Sequence, residues 1–292
     1  MKQRLITNNR RQSHHAKVGK IIFLVFLYTL LIAVALIMFF PTLWAVVTSI
    51  KPEAEVLEPG IHLIPRTFTL QNYLDVLTSE HDPILRWFLN SAVIAILYVF
   101  FYLLVTSLAA YAFSRLKFKG REPIFWICMV SMMIPGVINL VPNYVIIERL
   151  GLLDNLFAMV LPGLSGVFGV FLLRQFMKNI SREYDEVAMI DGANKFVIYS
   201  QIILPMCIPA LVTLAIFSFQ GNWNDFLWPL LVTSEKNNRT LTAGLYIFQN
   251  SYAHKYAHLM AGAVLSAIPV LIIFLLGQKQ LTKGITIGGL KG

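Results

Sequence analysis

Residues 183–205 read EYDEVAMIDGANKFVIYSQIILP, and the rest of the chain is organised around this stretch. The stretch is too polar to cross a membrane, yet it lies between two long apolar segments. Because a spanning helix needs about 20 predominantly apolar residues, these residues are expected to form a loop outside the bilayer.

The loop has the pattern of a helix, a turn and a second helix. Ser181 precedes a first turn that contains three carboxylates, which is typical of a helix N-terminus. One helical face then carries Tyr184, Val187, Ala188 and Asp191. Gly192 permits a turn that a residue with a Cβ resists. The helical pattern resumes from Asn194 to Leu204, and Pro205 marks the entry to the next apolar segment.

The first of these helices carries three apolar side chains that a free loop exposes to water, those of Val187, Met189 and Ile190. Exposed apolar patches mark interaction sites, so the pattern predicts that this helix docks into a partner. The alternative is a solvated linker in which the glycine is accidental.

The same stretch resembles the EAA loop of ABC-importer permeases. Glu186-Val187-Ala188 is followed by three residues, Gly192, nine residues and Ile202-Ile203-Leu204-Pro205. The family pattern is EAA, three residues, G, nine residues, I-x-L-P, and this chain departs from it only at Val187. Residues 191–193 match the common DGA form. By this resemblance, coupling to an ATPase is assigned to Glu186, Ala188, Asp191, Gly192, Ala193, Leu204 and Pro205.

The composition indicates a membrane protein. Of the 292 residues, 57% are hydrophobic and 13% are charged, whereas soluble domains carry about 25% charged residues. Six segments are long enough to cross a bilayer as helices: 21–40, 88–113, 124–147, 155–176, 209–232 and 259–277. Runs of this length exclude barrel strands. The predicted fold class is all-α, a polytopic membrane protein with six transmembrane helices.

The six segments divide the chain into a basic N-terminus (1–20), a transmembrane domain (21–277) and a C-terminal tail (278–292). The domain contains a long outer loop (41–87) and the loop described above (181–205), which we call the coupling loop. Within the outer loop, Thr69 caps a predicted short amphipathic helix, for which packing on neighbouring spans is preferred over a place on the bilayer surface or contact with an outer partner. Its apolar face carries Leu70, Tyr73, Leu74 and Leu77.

The basic residues predict the orientation of the chain. With the N-terminus inside, the inner segments hold six, four, four and three Lys and Arg residues. These are 17 of the 24 basic residues, which leaves seven outside. The positive-inside rule therefore predicts that both termini and the coupling loop lie in the cytoplasm. Because the basic residues are scattered over four segments, no nucleic-acid partner is expected.

Other motifs resemble the carbohydrate-uptake branch of the same family. Residues 110–121, AYAFSRLKFKGR, are similar to its AYAxxRxxFxGR turn, and residues 151–155, GLLDN, are similar to its GLLxN turn. Residues 223–230, WNDFLWPL, resemble a signature of permeases for oligosaccharides and glycerol phosphate. Residues 281–284 and the glycine-rich end at 288–292 resemble the tail of that branch.

The WNDFLWPL motif is a candidate for the solute path. Asp225 lies 16 residues beyond Pro209, which is about 24 Å along a helix, and an ionisable group within a span is a functional candidate. Trp223 and Trp228 can stack on sugar rings, while Asn224 and Asp225 bond hydroxyl groups. The alternative of nearly equal weight is structural: interfacial tryptophans, with Asn and Asp bonded to neighbouring helices.

The sequence lacks the residue patterns that several kinds of chemistry require. No G-x-x-x-x-G-K-[ST] motif occurs, so ATP and Mg²⁺ are expected on a partner chain and no cofactor is expected on this one. His254 and His258 lack a third ligand, so no metal site and no catalytic residue is predicted. Ser165 and His258 leave an intramembrane serine protease as a distant alternative.

The resemblance implies a type I ABC-importer permease fold and a place in the cytoplasmic membrane of a bacterial-type cell. It also implies four kinds of partner: a second permease subunit, two ATPase subunits, an extracytoplasmic solute-binding protein and the lipid bilayer. The implied function is ATP-driven import of a sugar or oligosaccharide. The alternatives are a permease of the same fold for another solute, such as glycerol 3-phosphate, and a membrane scaffold.

Overall fold

The computed structural model describes residues 2–60, 62–79, 82–251 and 255–289, with side chains described for 19–60, 62–79, 82–249 and 255–280. Throughout this part of the chain the regular structure is helical and contains no strand. The predicted all-α fold is therefore confirmed.

The helices of the first half are α1 (Lys2–Ser49), α2 (Glu53–Val56), α3 (Gln71–Leu77), α4 (Ile84–Arg115), α5 (Arg121–Ser131), α6 (Leu140–Arg149) and α7 (Leu156–Val160). Those of the second half are α8 (Val167–Lys178), α9 (Glu183–Ile190), α10 (Lys195–Val197), α11 (Leu204–Met206), α12 (Ile208–Trp223), α13 (Leu227–Val232), α14 (Leu241–Ser251) and α15 (Tyr256–Gly289). Two 3₁₀ turns, at 136–139 and 161–165, precede α6 and α8.

By length and composition, the described residues supply three candidate membrane spans, or up to six when each bent pair of helices is taken as one. Three spans are continuous, namely Gly19–Ser49 within α1, α4, and Tyr256–Gln280 within α15. The other three are broken: α5 and α6 meet at 95°, α7 and α8 at 49°, and the segment Lys195–Met206 meets α12 at 78°. Each predicted span thus has a helical counterpart, but the predicted span 209–232 corresponds to α12 and α13, since Lys195–Met206 lies almost wholly in the loop 181–205.

Proline and glycine cause two of these breaks. Pro135 follows the end of α5, and proline disfavours the helical conformation in the residue before it while lacking its own N–H. Gly166 separates the 3₁₀ turn from α8 with a φ of +25°. A Cβ at this position would lie 2.5 Å from Thr106 and 2.6 Å from Tyr102, so glycine also permits close packing on α4.

Three boundaries differ from the sequence prediction. The segment 209–232 is two helices, since α12 ends at Trp223 and α13 begins at Leu227. The last helix continues beyond Gly277 to Gly289, into the predicted tail, and α1 continues beyond Phe40 to Ser49. The final residues 290–292 and His254 lie outside the described residues.

The predicted short helix of the outer loop forms as α3, and Thr69 Oγ1 accepts the Gln71 N–H at 3.0 Å. α3 packs on α15, as predicted. Of the predicted apolar face, Tyr73 packs against the core, whereas Leu70 and Leu74 are 53% and 54% exposed. Asn72 is buried instead, and its Nδ2 donates to the backbone oxygens of Ser49 (2.8 Å) and Lys51 (2.7 Å). A polar residue is favoured here because the last carbonyls of α1 lack helical partners.

Within the described part of the chain, three clusters of buried residues hold the helices together, and two of these packed regions mark the ends of the bundle. The third joins α4 to α6, α7 and α13. At the loop end, defined as the end that carries the coupling loop, α4 and α8 pack with residues 188–214 around Leu173 and Ile198. At the opposite end, which we call the far end, α4, α12, α14 and α15 pack around Trp87 and Trp223. Because α4 runs through both regions, it connects the two ends of the molecule.

We expect Gly244→Ala to destabilise the protein. A Cβ at Gly244 would overlap the ring of Trp87, which is fully buried and held by a 2.7 Å hydrogen bond from Nε1 to Lys236 O. Overpacking of this kind typically lowers the free energy of unfolding by about 1–3 kcal/mol. Thermal unfolding of the purified protein in detergent measures the change.

The control is Gly221→Ala, because no atom of the described residues lies within 4 Å of a Cβ at Gly221. Alanine favours a helix more than glycine does, by about 1 kcal/mol. The control variant is therefore expected to match or exceed the wild-type melting temperature. Equal melting temperatures for both variants would contradict the packing assigned to Gly244.

Candidate functional site

The first helix of the coupling loop forms as predicted, and it is α9. Ser181 Oγ accepts the Glu183 N–H at 3.3 Å, although Arg182 rather than Ser181 is the residue that directly precedes the helix. Gly192 then has a φ of +84°, and the Ala193 N–H donates to Ala188 O at 2.9 Å. Left-handed glycine with this type of hydrogen bond is a common helix end.

The second half of the loop is also helical, as predicted, but it contains an irregular turn. Asn194 Oδ1 accepts the N–H groups of Phe196 (3.0 Å) and Val197 (2.9 Å) and so begins α10. Residues 198–203 form a π-helix before α11. Leu204 is partly buried and Pro205 is exposed, and both lie in the first turn of α11. The hydropathy pattern does not reveal the π-helix.

α9 presents an apolar face to its surroundings. Tyr184, Val187, Met189 and Ile190 are 51%, 59%, 43% and 85% exposed. Glu186, Asp191 and Gly192 are exposed beside them, and Ala193 is partly buried. Such a surface on a short helix is typical of an interaction site.

Ala188, which the family resemblance assigned to coupling with an ATPase, lies on the opposite side of α9. It is 7% exposed and belongs to the cluster formed with Tyr111, Ile198 and Tyr199. The small side chain therefore allows α9 to approach helices of its own chain.

Arg115, the last residue of α4, holds α9 in place. Its Nη1 lies 2.6 Å from Asp185 Oδ2, and the two side chains are 4% and 13% exposed. Its Nη2 donates to Met177 O (2.6 Å), in the last turn of α8, and to Ile180 O (2.8 Å), just beyond that helix. One buried guanidinium thus joins α4, the end of α8 and α9. Arg115 Nε and Asp185 Oδ1 are buried and have no hydrogen-bond partner among the described residues.

A second arginine fixes the neighbouring turn. Arg174 of α8 donates through Nη2 to both carboxylate oxygens of Glu122 at 2.7 Å, and its guanidinium lies 3.7 Å from the centre of the Phe125 ring. Arg174 Nε also donates to Phe113 O at 3.2 Å. The contacts attach the start of α5 to α8, and they use both the charge and the flat face of the guanidinium.

Two tyrosines attach the second half of the coupling loop to α4. Tyr111 Oη donates to Lys195 O at 3.1 Å, and Tyr199 Oη lies 2.7 Å from Ser107 Oγ. Their rings are 5.2 Å apart. Both halves of the loop therefore contact α4 through polar as well as apolar groups.

At the far end, both tryptophans of the WNDFLWPL motif are packed inside the protein. Trp223 is 2% exposed, and its ring centre lies 5.5 Å from those of Phe219 and Phe88. Its Nε1 donates to Ser266 O at 3.0 Å. Trp228 is 9% exposed and donates from Nε1 to Ala158 O at 2.9 Å. In this conformation the two rings stabilise contacts between helices.

Asn224 and Asp225 lie in the break between α12 and α13, beside two different cavities. Asn224 is exposed and lines a cavity of about 480 Å³ between α12, α14 and α15. Asp225 lines a smaller one of about 250 Å³, together with Asn143 and Asn222. Asp225 Oδ1 also accepts the Trp228 N–H at 3.3 Å. The solute path predicted for these residues stays a prediction.

A carboxylate ties the turn before α7 to the segment after α13. Asp154 has a φ of +57°, and its Oδ1 accepts the N–H groups of Ser234 and Glu235 at 2.8 Å each. Its own N–H donates to Val232 O at 2.9 Å. These bonds offset the strain of a left-handed non-glycine residue and explain why an aspartate stands in the GLLDN turn.

Two more carboxylates bind the start of α15. Glu53 accepts the N–H groups of Tyr256 (2.6 Å) and Ala257 (2.9 Å), and Asp75 Oδ2 lies 3.1 Å from His258 Nε2. A hydrogen bond from Gln71 and then the His258 contact hold the pKa of Asp75 below its usual value. His258 is itself buried, at 8% exposed, so its ring lies within the packed helices.

Arg115 was not predicted as a member of this site, and neither were Phe226 and Tyr246 beside the larger of the two cavities. Arg115 stands in the AYAFSRLKFKGR motif, where its charge was counted only toward orientation. Its partner Asp185 is 70 residues away, so no local pattern connects them. Phe226 lies within the WNDFLWPL motif, but only the tryptophans of that motif were considered as stacking rings.

The chain matches known proteins over most of its length. Residues 103–287 match the family described as "Binding-protein-dependent transport system inner membrane component". The arabinooligosaccharides transport system permease protein AraQ of Halalkalibacterium halodurans is 35% identical, over 89% of this chain and 93% of that protein. The galactooligosaccharides transport system permease protein GanQ of Bacillus subtilis is 32% identical, over 94% of this chain and 98% of that protein.

A solved structure has the same fold. A chain of a bacterial ABC transporter involved in the import of the acidic polysaccharide alginate superposes with a TM-score of 0.76 at 25% identity, and covers 89% of this chain and 96% of its own length. The family match and the two relatives extend over the coupling loop and the helices that hold it. The chain therefore belongs to the family of binding-protein-dependent transport system inner membrane components, and it is a multi-pass membrane transport component rather than an enzyme.

Proposed function

We propose that the chain is a permease subunit of an ATP-driven importer for a sugar or oligosaccharide. It assembles with a second permease, two ATPase subunits and an extracytoplasmic solute-binding protein in a bacterial-type cytoplasmic membrane. The names of AraQ and GanQ support the solute class. Glycerol 3-phosphate remains the alternative solute from the sequence, and no relative described above carries that name.

The observation that carries the proposal is the two-sided character of α9. One side exposes Val187 and Ile190, whereas the other is fixed to the chain by Ala188 and Asp185. A helix that is apolar outside and rigidly held inside suits docking into a groove of another subunit. The groove that receives α9 belongs to an ATPase subunit in this proposal.

Docking of this kind couples ATP hydrolysis to transport through contacts within this chain. Closure of the ATPase subunits pushes on α9, and the Asp185–Arg115 pair transfers the push to the end of α4. Because α4 extends to the far end, the push tilts spans there and changes the access to the solute path. Glu186, Asp191 and Gly192 contribute at the docking face.

The orientation follows from the same proposal. The coupling loop, both chain termini and the basic turn 115–121 lie in the cytoplasm, on the side of the ATPases. This places the far end, with α3 and the Asp154 turn, outside. The distribution of basic residues supports this arrangement.

Cysteines at Leu74 and Phe118 test the orientation. Both positions are exposed, 54% and 42% respectively. Cys128 is replaced by Ser in both variants because it is only partly buried, whereas Cys207 is buried and can remain. In intact cells, a membrane-impermeant thiol reagent is expected to label position 74, whereas position 118 reacts only after the membrane is opened. Labelling of position 118 in intact cells would reverse the orientation.

Gly192→Asp tests the docking face. Within the described part of the chain, no atom lies within 4 Å of a Cβ at Gly192, so the new side chain projects from the loop into the proposed interface. Enclosing an unpaired charge there costs several kcal/mol, which weakens association by more than about tenfold. Co-purification of the ATPase subunits in detergent and solute uptake by cells measure the two effects.

Gly120→Asp is the matched control. Gly120 also has a φ of +84° and ends a turn on the same side of the protein, so the two substitutions impose similar backbone strain. This variant is expected to keep ATPase association and uptake near the wild-type level. If Gly192→Asp behaves like its control, the coupling loop does not form the docking surface.

A further inference from the structure

A cavity at the far end is built from residues that no comparison assigns to a role. It has a volume of about 480 Å³ and lies between the end of α12, the helix α14 and the start of α15. Ligand sites in proteins occupy roughly 300–1,000 Å³. The residues that give it chemical character are Asn224, Phe226, Tyr246, Gln249, Met260 and Ser266.

Four of these residues carry polar groups that are free to bind a solute. The amides of Asn224 and Gln249 and the hydroxyls of Tyr246 and Ser266 make no hydrogen bond within the described part of the chain. An amide both donates and accepts hydrogen bonds, and so does a hydroxyl. The set therefore complements sugar hydroxyl groups, which also do both.

Two aromatic rings form an apolar surface beside these groups. Phe226 and Tyr246 are 45% and 50% exposed, their ring centres lie 5.5 Å apart, and their planes differ by 32°. Rings that remain accessible can stack on the apolar face of a sugar. The two tryptophans of the motif cannot do this here, because they are buried against neighbouring helices.

The charge of the lining selects between classes of solute. Among the described residues, ten line the cavity, and none of these ten is a Lys, Arg, His, Asp or Glu. A phosphate or uronate enclosed here would lose its hydration without gaining an opposite charge, which is unfavourable. The site therefore suits an uncharged solute.

We propose that this cavity is a half-site that holds one unit of a neutral saccharide during transport, with Asn224 and Gln249 binding hydroxyl groups and Phe226 and Tyr246 stacking on the ring. The inference rests on the proposed function, since a path is needed for the solute to reach the cavity. It assigns solute contact to this subunit, and it excludes acidic and phosphorylated sugars from the site.

The test uses the complete importer, with its binding protein, in proteoliposomes. The probes are radiolabelled arabinotriose, galactotriose and maltotriose, which are neutral, and glycerol 3-phosphate and an alginate trisaccharide, which are anionic. Uptake per assembled complex is measured together with ATP hydrolysis. We expect uptake of at least one neutral probe and no uptake of either anionic probe.

Asn224→Ala and Gln249→Ala each remove one hydrogen-bonding amide. Such a bond is worth a factor of about two to ten in affinity, so we expect each variant to lower uptake per ATP hydrolysed by about that factor. Gln220→Ala is the matched control, because Gln220 is an exposed amide one turn earlier on α12 and does not line the cavity. Tyr246→Phe removes only a hydroxyl and supplies a second test if an alanine variant assembles poorly.

The outcomes separate this inference from the proposed function. Neutral uptake that is unchanged in all three cavity variants would overturn the half-site and leave the importer assignment intact. Uptake of the anionic probes alone would overturn the neutral saccharide and the half-site. A complex that assembles and hydrolyses ATP but imports none of the sugars would contradict the proposed function itself.

Discussion

The contact between Arg115 and Asp185 is the constraint on which the rest of the molecule depends. A buried guanidinium is unfavourable unless charge and hydrogen bonds compensate it, and here one carboxylate and two backbone carbonyls do so. The position of α9 is therefore not free to vary independently of α4 and α8. A loop helix of eight residues is too short to be stable alone, so this anchoring is also a condition for its existence.

The two ends of the molecule are built differently. At the loop end, arginines and tyrosines join α4, α8 and the coupling loop into one packed region. At the far end, helices are interrupted: α12 stops at Trp223, α13 is short, and the break leaves cavities beside Asn224 and Asp225. Non-helical backbone at membrane depth is tolerated where it lines a cavity or is covered by protein. This difference suits a protein that receives force at one end and contacts a solute at the other.

Much of the fold could be predicted because its signals are local. Runs of apolar residues give the spans, Gly192 gives the turn, and Asn194 begins the second loop helix as its type suggests. Features that depend on distant contacts could not be predicted. The inward position of Ala188 follows from packing on Tyr111 and Ile198, and the burial of Trp223 depends on Phe88 and Ser266. Hydropathy shows that a residue is apolar, but it does not show whether that residue packs inside its own chain or contacts a partner or a solute.

The central claim is that α9 and the end of α4 move together when the ATPase subunits close, and a distance between the two reports on it directly. Spin labels are attached at Glu183, in the first turn of α9, and at Lys119, in the turn after α4, with Cys128 replaced by Ser. Pulsed EPR on the assembled importer then compares the distance distribution without nucleotide and in the ATP-bound state, while a labelled ATPase pair verifies closure. An unchanged Glu183–Lys119 distribution is predicted. A distribution that shifts upon closure would show that α9 moves independently of α4, and it would contradict the account.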